Sequence, residues 1–185
     1  MSGTPQAGRP FDAMPSDHIL PDILRPGLRL VFCGTAPSPR SAAEKAYYAH
    51  PGNRFWPTLH AVGLTERRLR PDEYPELLKQ GIGFTDVVKT QSGLDADLSK
   101  DAFDGEGLRA KILRFQPAIL AFTSKNAAKK GLGQSKVDYG LMSESLGETR
   151  LFVLPSPSGL ARGAWNEDHW RMLAQWLNEN TITTG

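Results

Sequence analysis

The stretch LFVLPSPSGLAR, Leu151–Arg162, contains both a fold signal and a functional question. Residues 151–155 form an apolar run, which predicts a buried strand. Residues 156–159, Ser-Pro-Ser-Gly, are turn formers, so the strand must end in a loop. That loop carries a lone apolar residue, Leu160, close to Arg162. A core strand that leads to an exposed leucine near an arginine suggests a functional surface.

Outward from this stretch, apolar runs alternate with segments of helical spacing along the whole chain. Continuous apolar strands separated by helices are typical of an α/β protein whose parallel sheet is covered on both faces. Ligands in such folds bind at the carboxyl ends of the strands, so the loops at 34–40, after 88 and at 156–162 should converge on one cleft. The predicted strands are LRLVFC (28–33), FTDVV (84–88), AILAFT (118–123) and LFVL (151–154).

Length and composition limit the class of protein. The chain has 185 residues, 39% hydrophobic and 23% charged, which suits a single globular domain. Its net charge of +2 permits an anionic partner without requiring one. A single cysteine, Cys33, excludes an internal disulfide and a cysteine-cluster zinc site. No apolar run reaches membrane-spanning length, and residues 1–20, which lack a signal-peptide core, are expected to form a disordered arm before a single domain at 21–185.

The first strand ends in a loop, GTAPSPRSAAEKAYYAHPGNRFW, that begins at Gly34 and reaches Trp56. Glycine at a strand end lets backbone N–H groups approach a ligand closely. Tyr47 and Tyr48 add aromatic faces, which together with a rigid turn suit a planar ligand. The alternative is an ordinary βα loop with core aromatics, and composition alone favours that alternative.

Asp86 lies within an apolar strand, where a carboxylate is unusual. At the strand end its pKa would be raised, which suits a general base. The alternative is that Asp86 caps a backbone turn or pairs with Lys89 or Arg54, and the residues alone somewhat favour this structural role.

A leucine on a Ser/Gly turn near an arginine is also what a duplex-invading wedge requires. The apolar side chain can fill the space left by an extruded nucleotide, while the arginine contacts a phosphate or a base edge. Ser156 and Ser158 can hydrogen-bond phosphates. The alternative, a surface loop whose Leu160 packs back onto the core, is favoured without further information. Basic runs at 67–70 and 125–136 resemble solvated faces, but Lys125 follows a strand end and could face the cleft.

Taken together and in this order, these segments resemble the mismatch-specific uracil/thymine DNA glycosylases of the uracil-DNA glycosylase superfamily. The resemblance runs from about residue 23 to residue 177. AHPGNRFW (49–56) matches that family almost letter for letter, and LPSPSGLAR (154–162) is similar to its LPNPSGLSR. Either motif alone is moderately specific, and the two at this separation are highly specific.

The resemblance implies a three-layer αβα sandwich with a central four-stranded, mainly parallel sheet. It also implies a monofunctional, monomeric, cytoplasmic glycosylase, nucleoid-associated in a bacterium, that needs no metal or cofactor. Such an enzyme flips uracil out of DNA, cleaves its N-glycosidic bond and leaves an abasic site. The first expected substrate is uracil opposite guanine, and single strands or other deaminated bases are an extension of it. The implied base pocket comprises Gly34, Thr35, Ala36, Pro37, Ser38, Tyr48 and Asn53, and the implied DNA contacts are Ser156, Ser158, Lys125 and the wedge Gly159-Leu160-Ala161-Arg162.

The chain departs from that family at two positions. The family's first motif reads Gly-Ile-Asn-Pro-Gly, and its Asn positions the attacking water; here Ala36 stands in that place and Ser156 replaces the Asn of the second motif. We hypothesise that Asp86 takes over as the catalytic group. The rival hypotheses are a damaged-base binding protein without catalysis, which both substitutions would favour, and a small-molecule nucleotide-binding protein, which would leave the Leu160 loop unexplained.

Overall fold

The computed structural model describes residues 17–161 and 163–181, and Arg162 therefore lies outside the described residues. Five strands and five α-helices alternate along most of this range, with short 3₁₀ segments in the longer connections. The strands are β1 (Leu30–Gly34), β2 (Ile82–Asp86), β3 (Ile119–Phe122), β4 (Gly140–Leu146) and β5 (Thr149–Val153). The helices are α1 (Pro39–Glu44), α2 (Phe55–Ala61), α3 (Gly105–Phe115), α4 (Lys125–Leu132) and α5 (Glu167–Thr181), and the 3₁₀ segments are Pro71–Gln80, Asp95–Asp97 and Lys100–Ala102.

The strands form one sheet in the order β2-β1-β3-β5-β4. The first four are parallel, and β4 pairs antiparallel with β5. The α/β fold class is thus confirmed, but the sheet has five strands instead of the four predicted. The sequence pattern missed β4 because it is an edge strand with mostly exposed central residues and an irregular register between Leu141 and Ser145. It therefore lacks the continuous apolar run of the parallel strands.

Both faces of the sheet are covered, which accounts for the continuous apolar character of the inner strands. In β1, Leu30 and Phe32 join a core with helices α2 and α5. The alternate residues Val31 and Cys33 join a second core with α3 and α4 on the other face. This alternation is the period-2 geometry of a strand buried on both sides. The result is the predicted sandwich of helices, sheet and helices.

The domain begins earlier than the sequence indicated. Of the residues assigned to a disordered arm, 17–20 are described, and Leu20 is 0% exposed within the core on the α2 side. The Ile19 N–H donates to the Lys89 carbonyl oxygen at 2.7 Å. The arm assignment is therefore corrected for these residues, and its remaining part, 1–16, lies outside the described residues. Within the described range, no helix is long and apolar enough to cross a membrane.

Candidate active site

A cavity of about 370 Å³ opens at the carboxyl edge of the sheet. Segments that follow β1, β3 and β5 meet there with the end of β2, which is the convergence expected of a parallel sheet. The lining includes many residues singled out in the sequence, namely Gly34, Thr35, Ala36, Pro37, Ser38, Tyr48, Asn53, Asp86, Ser156, Ser158, Leu160 and Ala161. Tyr47, which the sequence marked as an aromatic neighbour of the first loop, also lines it. The sequence did not point to other lining residues, among them Leu20, Leu94, Asp95, Thr123 and Ser124.

The loop after β1 presents backbone donors to this cavity. Several of its carbonyl groups are occupied, since Gly34 O accepts from Val87 N at 3.0 Å and Pro37 O accepts from Gly93 N at 3.0 Å. The N–H groups of Ala36 and Ser38 donate to no other residue in the described ranges. Ser38 Oγ accepts from Ser41 N at 3.1 Å and so begins α1. The loop is thus held in place by its oxygens while two N–H groups remain available for a ligand.

Asp86 ends β2 at the floor of the cavity and is 4% exposed. Burial raises the pKa of its carboxyl to about 7. Lys89 opposes this shift and lowers the pKa, whereas the negative charge of Asp22 adds a smaller increase. Its Oδ2 has no hydrogen-bond partner among the described residues. Neither pairing considered from the sequence forms, because Lys89 pairs with Asp22 and the Arg54 guanidinium lies over the Trp165 ring. Asp86 is therefore a buried carboxyl with a free oxygen in a cavity, which is a functional-site signature.

A buried charge network lies behind Asp86. The Lys89 ammonium is 2.8 Å from Asp22 Oδ1 and donates to the Tyr47 hydroxyl at 3.2 Å. Asp22 Oδ2 is 2.7 Å from Lys111 Nζ, and the Thr85 hydroxyl donates to Asp22 Oδ1 at 2.7 Å. The two lysines lower the pKa of Asp22, although burial opposes them. Sequence reasoning missed this network because Asp22 precedes the first strand and no local pattern marks it.

Tyr48 and Asn53 form a side wall of the cavity. Tyr48 has a φ of 53°, an unusual value for a residue other than glycine. Its ring stacks on Phe55 with centroids 3.9 Å apart, and its hydroxyl is 3.0 Å from Thr123 Oγ1. Asn53 Oδ1 accepts from Phe55 N at 2.9 Å. The amide nitrogen of Asn53 is thus the part left to contact a ligand.

The loop after β5 presents Leu160 at the cavity mouth, where the side chain is 76% exposed. Leu160 therefore does not pack back onto the core, and that alternative is excluded. The loop is anchored on the AHPGNRFW segment, because Pro157 O accepts from Arg54 N at 2.8 Å. A β-carbon on Gly159 would lie 2.9 Å from Gly52 O, so only glycine permits this approach. The two specific motifs thus hold each other in place.

Lys125 does not line the cavity. It lies at the start of α4, and its Nζ is 4.4 Å from the centroid of the Tyr139 ring. Its side chain therefore does not reach the cavity, and its contact with DNA stays a prediction. Within the described residues, no group of three or more His, Cys, Asp or Glu side chains is arranged to hold a metal ion.

Comparison with known proteins adds an independent line of evidence. The family model for the uracil DNA glycosylase superfamily matches residues 21–178. The fold is similar to a solution NMR structure from Methanosarcina acetivorans, provisionally assigned as a uracil DNA glycosylase. That similarity has a TM-score of 0.58 at 22% sequence identity and covers 86% of this chain and 96% of the other. At this identity the structural match establishes the fold alone. The family match covers most of the described chain and therefore establishes the family.

Proposed function

Because the chain belongs to the uracil DNA glycosylase superfamily, we propose that it is a monofunctional glycosylase that hydrolyses the N-glycosidic bond of uracil in DNA. The observation that carries this proposal is the buried Asp86 carboxyl at the floor of a cavity whose mouth bears an exposed leucine. A bifunctional enzyme would need an amine nucleophile beside the sugar. No lysine is among the described residues that line the cavity, which favours simple hydrolysis.

Asp86 is assigned the role of activating water. The water oxygen forms a bond to C1′ as the C1′–N1 bond breaks, and the electron pair of that bond leaves with the base. The water proton passes to Asp86, so the products are an abasic sugar with a C1′ hydroxyl and a uracil anion that is then protonated. The ionised carboxylate also stabilises the positive charge that develops on the sugar. In this proposal Asp86 takes the role of the family's asparagine. The residue at that asparagine's position in this chain is Ala36, which has no polar side chain.

The leaving base requires hydrogen-bond donors. The N–H groups of Ala36 and Ser38 support this role, because they have no partner in the described ranges and belong to residues that line the cavity; they would stabilise an anionic base in the manner of an oxyanion hole. The amide nitrogen of Asn53 supplies a further donor that suits a carbonyl oxygen of uracil. The Tyr48 ring, backed by Phe55, offers an aromatic wall for the planar base. These features support a pyrimidine with two carbonyl groups as the ligand.

Uracil opposite guanine is the proposed substrate. Extruding a base from a duplex costs roughly a few kcal/mol and least for a mispaired one, so the G·U pair opens more readily than A·U. Leu160 is exposed at the mouth, where it can occupy the vacated position in the stack. The presence of Ala36 in place of the family's asparagine also supports a second candidate function: a damage reader, meaning a protein that binds the extruded base without cleaving it.

The test uses a labelled duplex with one G·U mismatch, incubated with wild-type protein, Asp86→Asn or Asp97→Asn and then treated with alkali. Asp97 is a matched control because it is exposed and does not line the cavity. We expect strand cleavage by wild type and by Asp97→Asn, and a decrease of about 10²–10⁴-fold for Asp86→Asn. Near-full activity of Asp86→Asn would refute its catalytic role. Binding by the wild type without cleavage would favour the damage reader.

A further inference from the structure

A second cavity, of about 330 Å³, borders the base pocket and shares Tyr48 and Asn53 with it. Its lining includes Arg40, His50, Arg68 and Arg70, which we call the arginine groove. These residues come from three separate segments of the chain: the start of α1, the AHPGNRFW motif and the basic run at 67–70. The fold therefore gathers basic side chains next to the pocket that no single sequence motif brings together.

The positive charge of the groove is only partly neutralised. Three guanidinium groups line it against one carboxylate, that of Glu44, which pairs with Arg40. Arg70 pairs with Asp72 at 3.1 Å and with Glu73 at 3.8 Å, whereas Arg68 is exposed and makes no ion pair in the described part of the chain. His50 Nδ1 accepts from Gly52 N at 2.9 Å, so its other ring nitrogen is the one left for a ligand. The groove thus retains donors for an anion.

The basic run is held in a defined orientation. Leu69 is buried, and the backbone at Arg70 is extended, with φ −80° and ψ 155°. Side chains two residues apart on an extended chain point to the same side, which places Arg68 and Arg70 together at the groove. Arg67 does not line the groove and pairs with Glu73, which also lies 3.8 Å from Arg70. The basic run at 67–70, which resembles a solvated face in the sequence, therefore has two parts in the fold. Arg68 and Arg70 line the groove, whereas Arg67 forms an ion pair outside it.

We propose that the arginine groove binds the phosphodiester backbone of the DNA strand that carries the flipped nucleotide. The inference rests on the proposed function, since it takes DNA as the substrate. The base pocket and the groove share a wall, so a strand whose base enters the pocket must pass its neighbouring phosphates close to that wall. Arginine is well suited to phosphate because its planar fork donates two parallel hydrogen bonds. The groove thus positions the strand, while Asp86 performs the chemistry.

The test measures binding of a duplex whose target uridine opposite guanine carries a 2′-fluorine, which slows glycosidic cleavage. Fluorescence anisotropy at several salt concentrations compares wild type, Arg40→Ala, Arg68→Ala, the double variant and Arg68→Lys. Arg109→Ala is the matched control, because Arg109 is exposed on α3, which packs on the other face of the sheet from α2. A separate single-turnover assay with saturating protein measures excision of uracil from an unmodified duplex.

We expect removal of each groove arginine to lower the affinity roughly two- to fivefold at low salt, the range for an exposed ion pair. The slope of log Kd against log salt should fall by about one for each phosphate that the variant can no longer bind. Arg68→Lys should keep the wild-type slope, whereas the control Arg109→Ala should change neither the slope nor the excision rate at saturation. Wild-type affinity and slope in the double variant, or an equal effect of Arg109→Ala, would overturn the proposal. Binding that depends on Arg68 without any excision would retain the groove and reject the glycosylase, whereas a wild type that binds no DNA would reject both.

Discussion

Gly34 and Asp86 are directly opposed in the parallel ladder between β1 and β2, and a β-carbon built on Gly34 would lie 2.9 Å from Asp86 Oδ1. Gly34 does not need its conformational freedom here, since no positive φ is involved. It is the lack of a side chain that matters, because the carboxyl occupies the space a methyl group would fill. The glycine that ends the first strand thus leaves the space in which the carboxyl of the proposed catalytic group lies.

Gly34→Ala should therefore impair excision more than stability. The new methyl group would displace the Asp86 carboxyl, whose end can move, and would also approach Thr123 Oγ1 and the Tyr48 hydroxyl at 3.4 Å. We expect a decrease of about 10²-fold or more in single-turnover rate, the scale of a misplaced acid–base group. Gly163→Ala is the control, because its β-carbon would meet no atom within 4 Å. Equal rates for Gly34→Ala and wild type would show that Asp86 does not act from this position.

The rate of excision should depend on the ionisation of Asp86. Burial raises its pKa to about 7, so the active carboxylate becomes the major form only above neutral pH. We expect the single-turnover rate to rise about tenfold per pH unit below pH 7 and to level off above it. Lys89 lowers the pKa of Asp86, so Lys89→Met should move this rise to higher pH. An unchanged pH profile in Lys89→Met would contradict the electrostatic role of the buried lysine.

Ionisation of Asp86, which should raise the excision rate, should lower the stability of the folded protein. Between the ordinary aspartate pKa of 3.8 and about 7, native Asp86 keeps a proton that the unfolded chain has released, so its contribution to stability falls as pH rises through that window. A pKa raised this far corresponds to at most on the order of 4 kcal/mol. Asp86→Asn, which cannot ionise, should thus gain free energy of unfolding relative to wild type between about pH 4 and pH 8. Urea denaturation of both proteins at the two pH values measures it, and a constant difference would refute the raised pKa.

Leu160→Ala should discriminate between duplex and single-stranded substrates. Leu160 is exposed, so its removal should leave the fold intact. A leucine buried in the base stack contributes roughly 1.5–3 kcal/mol, so excision from a G·U duplex should fall about tenfold or more. Excision from a single strand, which has no stack to fill, should change little. Equal decreases on both substrates in the same assay would count against the wedge role.

The sequence by itself was sufficient for the parallel framework and for much of the pocket. Strands buried on both faces are continuous apolar runs, and ligands in such sheets bind at the carboxyl ends, so the pocket loops were predictable from their place after the strands. Asp86 stood out because a carboxylate in an apolar run has a desolvation cost that calls for an explanation. The edge strand β4 escaped detection because one side of it is solvated and its pattern is broken.

Only the tertiary structure decided how distant segments act on one another. The sequence could not show whether Leu160 points outward, whether Lys125 faces the cleft, or that Asp22 and Lys89 form a charge pair behind Asp86. It could not separate Arg68 from Arg67, although the fold assigns one to a groove and the other to an ion pair. The physical reason is that periodicity reports how each residue partitions between core and water, whereas a pKa or a binding groove depends on distances between groups far apart in the chain.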